Sequence, residues 1–118
     1  SEVVWVKKGT YKPTSTTDRT ISFVLRDSSK IYGGFVGNES PSYNIGNRNL
    51  FGNKTFLSGD IGLAGDTTDN SLHVVYTENV SSQLLLNGFY IINGNANDLS
   101  CPSAWIGILA YTFQIYFE

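Results

Sequence analysis

Few side chains in this sequence are able to do chemistry. His73 is the one histidine, the side chain that titrates near neutral pH and serves as general base or metal ligand. Catalysis would need a nucleophile or carboxylate against it, and the alternating run Leu72-His73-Val74-Val75 supplies neither. The reading is an edge or solvent-facing strand histidine. Asp60, Asp66 and Asp69, interleaved with Gly59, Gly62 and Gly65, have the residue types of a calcium loop. Their spacing departs from D-x-[DN]-x-[DN]-G, and aspartates do the same work in ordinary turns. Cys101 is the one cysteine, so no intrachain disulfide forms. That fits folding in a reducing compartment, with Cys101 as a small apolar filler beside Pro102. With no nucleophile, base and orienting group in one constellation, neither an enzyme nor a cofactor is expected.

Composition narrows the partners. The chain has 118 residues, enough for one domain over 1–118 with a single core. Charged residues make up 15%, where about 25% is usual. The formal net charge is -2, and Lys7-Lys8 is the one adjacent basic pair. Nucleic acid is therefore not an expected partner. No apolar run approaches a membrane span of roughly 18 residues, so no membrane insertion is expected. The chain has no Met, and Ser1-Glu2-Val3-Val4-Trp5 lacks the regions of a signal peptide. A fragment cut from a longer polypeptide, or a processed chain, is the expectation. The sequons at Asn38, Asn53 and Asn79 are then expected to be unmodified.

The elements that must position any site are strands. Apolar residues come in short runs rich in Val, Ile, Phe and Tyr, broken by Gly, Asn, Asp, Ser and Pro. Val3 to Lys7 reads as a first strand, with a loop from Gly9 to Arg19. Thr20 to Arg26 alternates, with Ile21, Phe23 and Leu25 on one face. Lys30 to Gly37 is expected to return as its hairpin partner after the turn Asp27-Ser28-Ser29. Asn38 to Asn53 is a long Asn/Gly loop. Further strands fall in Thr55 to Leu63, Ser71 to Thr77, Gln83 to Leu86 and Gly88 to Ile92, with loops between. Ala104 to Glu118 is the most apolar segment, and as one strand it would be apolar on both faces. About eight strands and no internal repeat point to an all-β fold, a compact antiparallel β-sandwich. A neighbouring copy would cover the second face of the last strand.

Three segments, in order, resemble the C-terminal head (knob) domain of adenovirus fibre proteins. They are Val3-Val4-Trp5-Val6, the run from Ile21 to Val36, and Ala110-Tyr111-Thr112-Phe113-Gln114-Ile115-Tyr116-Phe117-Glu118. The short length looks most like the compact heads of atadenoviruses. The middle of the chain does not align, so no receptor contacts carry over. The resemblance implies a homotrimeric head at the tip of a capsid fibre, following a shaft, in a virion assembled in the host nucleus. It implies attachment to a host-cell receptor, either a protein or a sialylated glycan, without a cofactor. The loops offer Tyr11, Lys12, Tyr43 and Arg48 as candidate receptor contacts. Trp5, Ile106 and Tyr116 are the candidate trimer-interface residues. Other readings are another trimeric viral or phage fibre tip, or a bacterial chaperone–usher pilin subunit.

Overall fold

The computed structural model describes residues 3–77, 83–97, 108–110 and 115–117, the last two groups as backbone. The described residues are strand-rich with almost no helix, as an all-β fold requires. The strands are β1 (Val3–Lys7), β2 (Gly9–Tyr11), β3 (Phe23–Leu25), β4 (Lys30–Phe35), β5 (Thr55–Ser58), β6 (Val75–Thr77), β7 (Leu84–Asn87), β8 (Tyr90–Ile92), β9 (Ile108–Ala110) and β10 (Ile115–Phe117). Two single 3-10 turns, Ile45–Asn47 and Thr67–Asp69, interrupt the loops.

The pairing corrects the expected topology. Every ladder among the described residues is parallel, and the sheets run β1-β4-β7-β10, β2-β5-β8 and β3-β6-β9. Each successive trio of strands thus contributes one strand to each of three sheets. The chain winds in coils, the arrangement of a parallel β-helix, and not in an antiparallel sandwich. Coil 1 holds β1 to β3, coil 2 holds β4 to β6, coil 3 holds β7 to β9, and β10 begins the next. The expected hairpin is also corrected, because β3 and β4 lie in different sheets. The turn between them rounds a corner, with Ser28 at φ 67° and the Ser29 N–H donating to the Arg26 carbonyl at 3.4 Å. The expected single last strand is two strands, β9 and β10, again in different sheets.

Stacking in register makes the core. Residues that point inward on one coil meet their counterparts on the next. Val4 lies over Ile31 and Ile31 over Leu86. Tyr11 lies over Leu57 and Leu57 over Ile91, and Leu25 lies over Thr77. One apolar cluster joins all three sheets through Leu25, Leu57, Val74, Val75, Leu84 and Leu86. Burying a side chain of this size stabilises by about 1.5–3 kcal/mol. The outward face alternates as the sequence predicts, with Val24 63% exposed beside buried Leu25.

Polar staples tie one coil to another. Arg19, in the loop of coil 1, donates from Nε to the Asn70 carbonyl at 2.6 Å. Its Nη2 reaches the Asn95 carbonyl at 3.0 Å and Asn97 Oδ1 at 2.7 Å. Coils also approach closely at Gly33 and Gly88. A Cβ on Gly33 would stand 2.7 Å from the Gly88 carbonyl oxygen, and one on Gly88 would stand 2.8 Å from that of Gly33. Neither position has room for a side chain.

Candidate functional site

The aspartates brace their own loops, and the histidine is buried. Asp60 accepts from the Gly65 N–H with both oxygens at 3.2 Å, and Asp69 Oδ2 accepts from the Leu63 N–H at 2.7 Å. Asp66 caps the second 3-10 turn through the Thr68 N–H and hydroxyl. Each carboxylate thus accepts from its own loop, while Asp69 Oδ1 is buried with no hydrogen-bond partner. Among the described residues no three His, Cys, Asp or Glu side chains gather so as to hold a metal ion. His73 corrects the solvent-facing expectation: it is only 6% exposed and sits just before β6, under the stacked coils.

The site with most to offer is built on β1. This strand pairs with β4 on one side, and no described strand pairs with its other edge. Val3 is 60% and Val4 39% exposed there. The ladder runs in register through Trp5 and Tyr32, then shifts before Lys7 and Phe35. Such an irregularity re-aims side chains. Trp5 stacks on Phe35 with ring centroids 4.8 Å apart and planes 11° from parallel. Tyr43 meets both rings edge-on, at 6.5 Å from Trp5 and 6.1 Å from Phe35. Offset-stacked and edge-to-face contacts of this kind hold aromatic rings in fixed orientation.

The loop after β4 closes over the same aromatics. Glu39 turns it back, its Oε2 accepting from the Val36 N–H at 2.7 Å and its Oε1 from the Gly37 N–H at 2.9 Å. Burial pushes the Glu39 carboxyl up, but the N–H groups of Gly37, Val36, Glu39 and Asn38 together hold it below the usual carboxylate range. Gly37 adopts φ 112°, and a Cβ there would meet the Lys7 stem at 2.7 Å. The result is a cleft of about 470 Å³ lined by Val3, Trp5, Glu39 and Pro41. A smaller one of about 220 Å³ lies between Trp5, Lys7, Phe35, Gly37 and Glu39. The two share Trp5 and Glu39, so both flank the same indole.

The structure disperses the sequence-predicted contacts. Tyr43 joins the aromatic group beneath the clefts. Arg48 packs beside that group with its guanidinium occupied: Nε donates to the Ile45 carbonyl, Nη1 to the Gly33 carbonyl and Nη2 to Asn87 Oδ1, each at 2.7 Å. Its plane also faces the Tyr32 and Phe35 rings, at 5.3 and 5.7 Å. Tyr11 is half-buried, and its hydroxyl donates to the Lys7 carbonyl at 2.7 Å. Lys12 is exposed. Trp5 lines both clefts. Tyr116 lies on β10, described as backbone alone, whereas Ile106, Cys101 and the Asn79 sequon lie outside the described residues. Glu39 and Pro41 were missed by sequence reasoning. The signal for Glu39 was a lone carboxylate two residues after Gly37, able to cap the turn. Compared with protein-family models, curated proteins and solved structures, the chain matches none.

Proposed function

We propose that this domain is a non-enzymatic attachment module that recognises its target through the clefts beside Trp5. The observation that carries this reading is an aromatic platform at an open sheet edge, held by stacking and flanked by a carboxylate fixed on backbone N–H groups. Binding sites are mostly apolar and furnished with a few placed polar groups, and the larger cleft, wide open to solvent, has that lining. Attachment of the purified domain to cells or surface extracts tests it. Trp5→Ala should remove at least about nine-tenths of the binding, a loss typical of an aromatic anchor, with strand content unchanged by circular dichroism. Full retention of binding by that variant refutes the role of the cleft.

The finer reading is a receptor-binding head on a homotrimeric viral fibre, carried on a shaft and displayed on a virion assembled in the nucleus. Parallel coils depart from the antiparallel sandwich that the adenovirus resemblance implies, and this favours another viral or phage fibre tip. The apolar last segment divides between β9 and β10, so its two faces no longer call for a neighbour by themselves. A trimer would bury a surface other than the β1 edge, because that edge carries the clefts. Sedimentation at tens of micromolar should show a trimer, and a concentration-independent monomer would rule it out.

A further inference from the structure

We infer that the larger cleft takes an uncharged saccharide, an inference that rests on the attachment reading above. Among the described residues the walls are Val3, Trp5 and Pro41, and the one charged lining side chain is Glu39. One face of the Trp5 indole is taken by Phe35, which fixes the ring as a rigid wall of the cleft. A sugar ring presents C–H groups on its face and hydroxyls at its rim. The face suits a flat indole and a proline ring, and the rim suits a carboxylate.

Glu39 is prepared for that second task. Each of its oxygens accepts one short backbone N–H contact, the Asn38 and Glu39 N–H groups also act on the carboxylate, and its solvent side stays open to a further donor. The backbone contacts hold its orientation before any ligand arrives, so little side-chain freedom is lost on binding. They also keep it ionised, and hydrogen bonds from hydroxyls to an ionised acceptor are the strong ones. The same charge works against an anionic sugar. Lys7 lines the smaller cleft and not the larger one, so among the described lining residues no cation offsets Glu39 where the ring would sit. A neutral hexose or N-acetylhexosamine therefore fits this cleft better than the sialylated glycan that the fibre-head resemblance implies as one alternative to a protein receptor. The volume of about 470 Å³ lies within the range of small-ligand sites.

The test is an array of neutral hexose and N-acetylhexosamine oligosaccharides printed beside sialylated ones, followed by titration of the best neutral binder. Binding of neutral glycans is expected, with the Trp5 fluorescence changing in a Trp105→Phe background. Glu39→Gln should weaken binding by roughly tenfold or more, since it removes a charge-assisted acceptor. Trp5→Ala should abolish it. If Trp5→Ala fails to fold, Trp5→Phe and Glu39→Gln still report on the cleft. Preference for the sialylated glycans, or neutral binding indifferent to Glu39→Gln, overturns the inference. A blank array alongside Trp5-dependent cell attachment also overturns it and leaves the attachment reading standing. Attachment that ignores Trp5 defeats both.

Discussion

Coil 1 and coil 2 have the same three-strand plan and very different interiors. In coil 2, Phe35, Leu57, Ile61, Val74 and Val75 are buried, together with Thr55, Ser58 and Thr77. In coil 1 the buried hydrophobic side chain is Leu25, while Val3 and Val4 stand exposed. The residue types are alike, so composition does not set the difference. Position does: coil 2 has a described coil stacked on each side, and coil 1 on one. A stacked solenoid gains stability from each interface between neighbours. The inner coil therefore holds the tightly buried core, and the outer coil leaves apolar side chains exposed.

The sharpest test compares truncation at inward positions of the two coils. Leu57, on β5 of coil 2, is buried and belongs to the central cluster. Leu57→Ala should cost about 2–5 kcal/mol, the range for buried Leu. Val4 occupies the column above Ile31 and Leu86 but is partly open. Val4→Ala should cost less than about 1 kcal/mol, within the scale of a small partly exposed truncation. Urea unfolding of the two variants decides it. Equal losses would mean that coil 1 is as firmly packed as coil 2, and the contrast would fall.

A smaller effect is expected where the coils are tied together by polar groups. Arg19 leaves from coil 1 and ends on carbonyls and an amide of later coils. Arg19→Met keeps much of the packing and removes the donors. Leaving acceptors unsatisfied should cost about 1–3 kcal/mol. Hydrogen exchange should locate the loss near Asn70 and Asn95. A loss confined to the loop around Arg19 would show that the staple holds only its own segment.

Much of the local structure was legible in the sequence. Strand β1 has the predicted bounds, Val24 and Leu25 fall on the predicted faces, and the Asn/Gly loop before β5 is where it was expected. The pairing direction was not legible. A three-residue strand alternates identically in parallel and antiparallel sheets, and only the connections tell them apart. The coils also lack a fixed period. Val3 pairs with Lys30, but Lys30 pairs with Leu85, an offset about double the first. Loop insertions of unequal length hide such a repeat from any search for periodicity. The site was half legible for a similar reason. Trp5 and Tyr43 stood out by residue type, but Phe35 joins them only because β4 stacks against β1. Arg48 looked like a loop contact, and it is instead fastened to Gly33 and Asn87.

The smallest effect concerns the exposed loops, where the two coils should behave alike. Asp18, in coil 1, accepts the Thr20 hydroxyl at 2.6 Å and the Thr20 N–H at 3.0 Å. Asp66, in coil 2, accepts the Thr68 hydroxyl at 2.6 Å and the Thr68 N–H at 2.9 Å. In both, the hydroxyl bond and then the backbone bond hold the carboxyl below its ordinary value, against a smaller opposing effect of burial. A carboxyl whose pKa is lower in the folded state binds protons more readily when the chain unfolds. Its contribution is complete above the unfolded value of about 3.9 and fades as pH falls through the folded value. The urea midpoint of the wild-type domain should therefore drop below about pH 4. Asp18→Asn and Asp66→Asn should each flatten that drop slightly and by similar amounts. Both groups are solvent-exposed, so the shifts in midpoint should be small and should shrink further with added salt. A clearly larger effect for Asp66→Asn would extend the difference between the coils to their surfaces. Matching effects would confine that difference to the stacked interior.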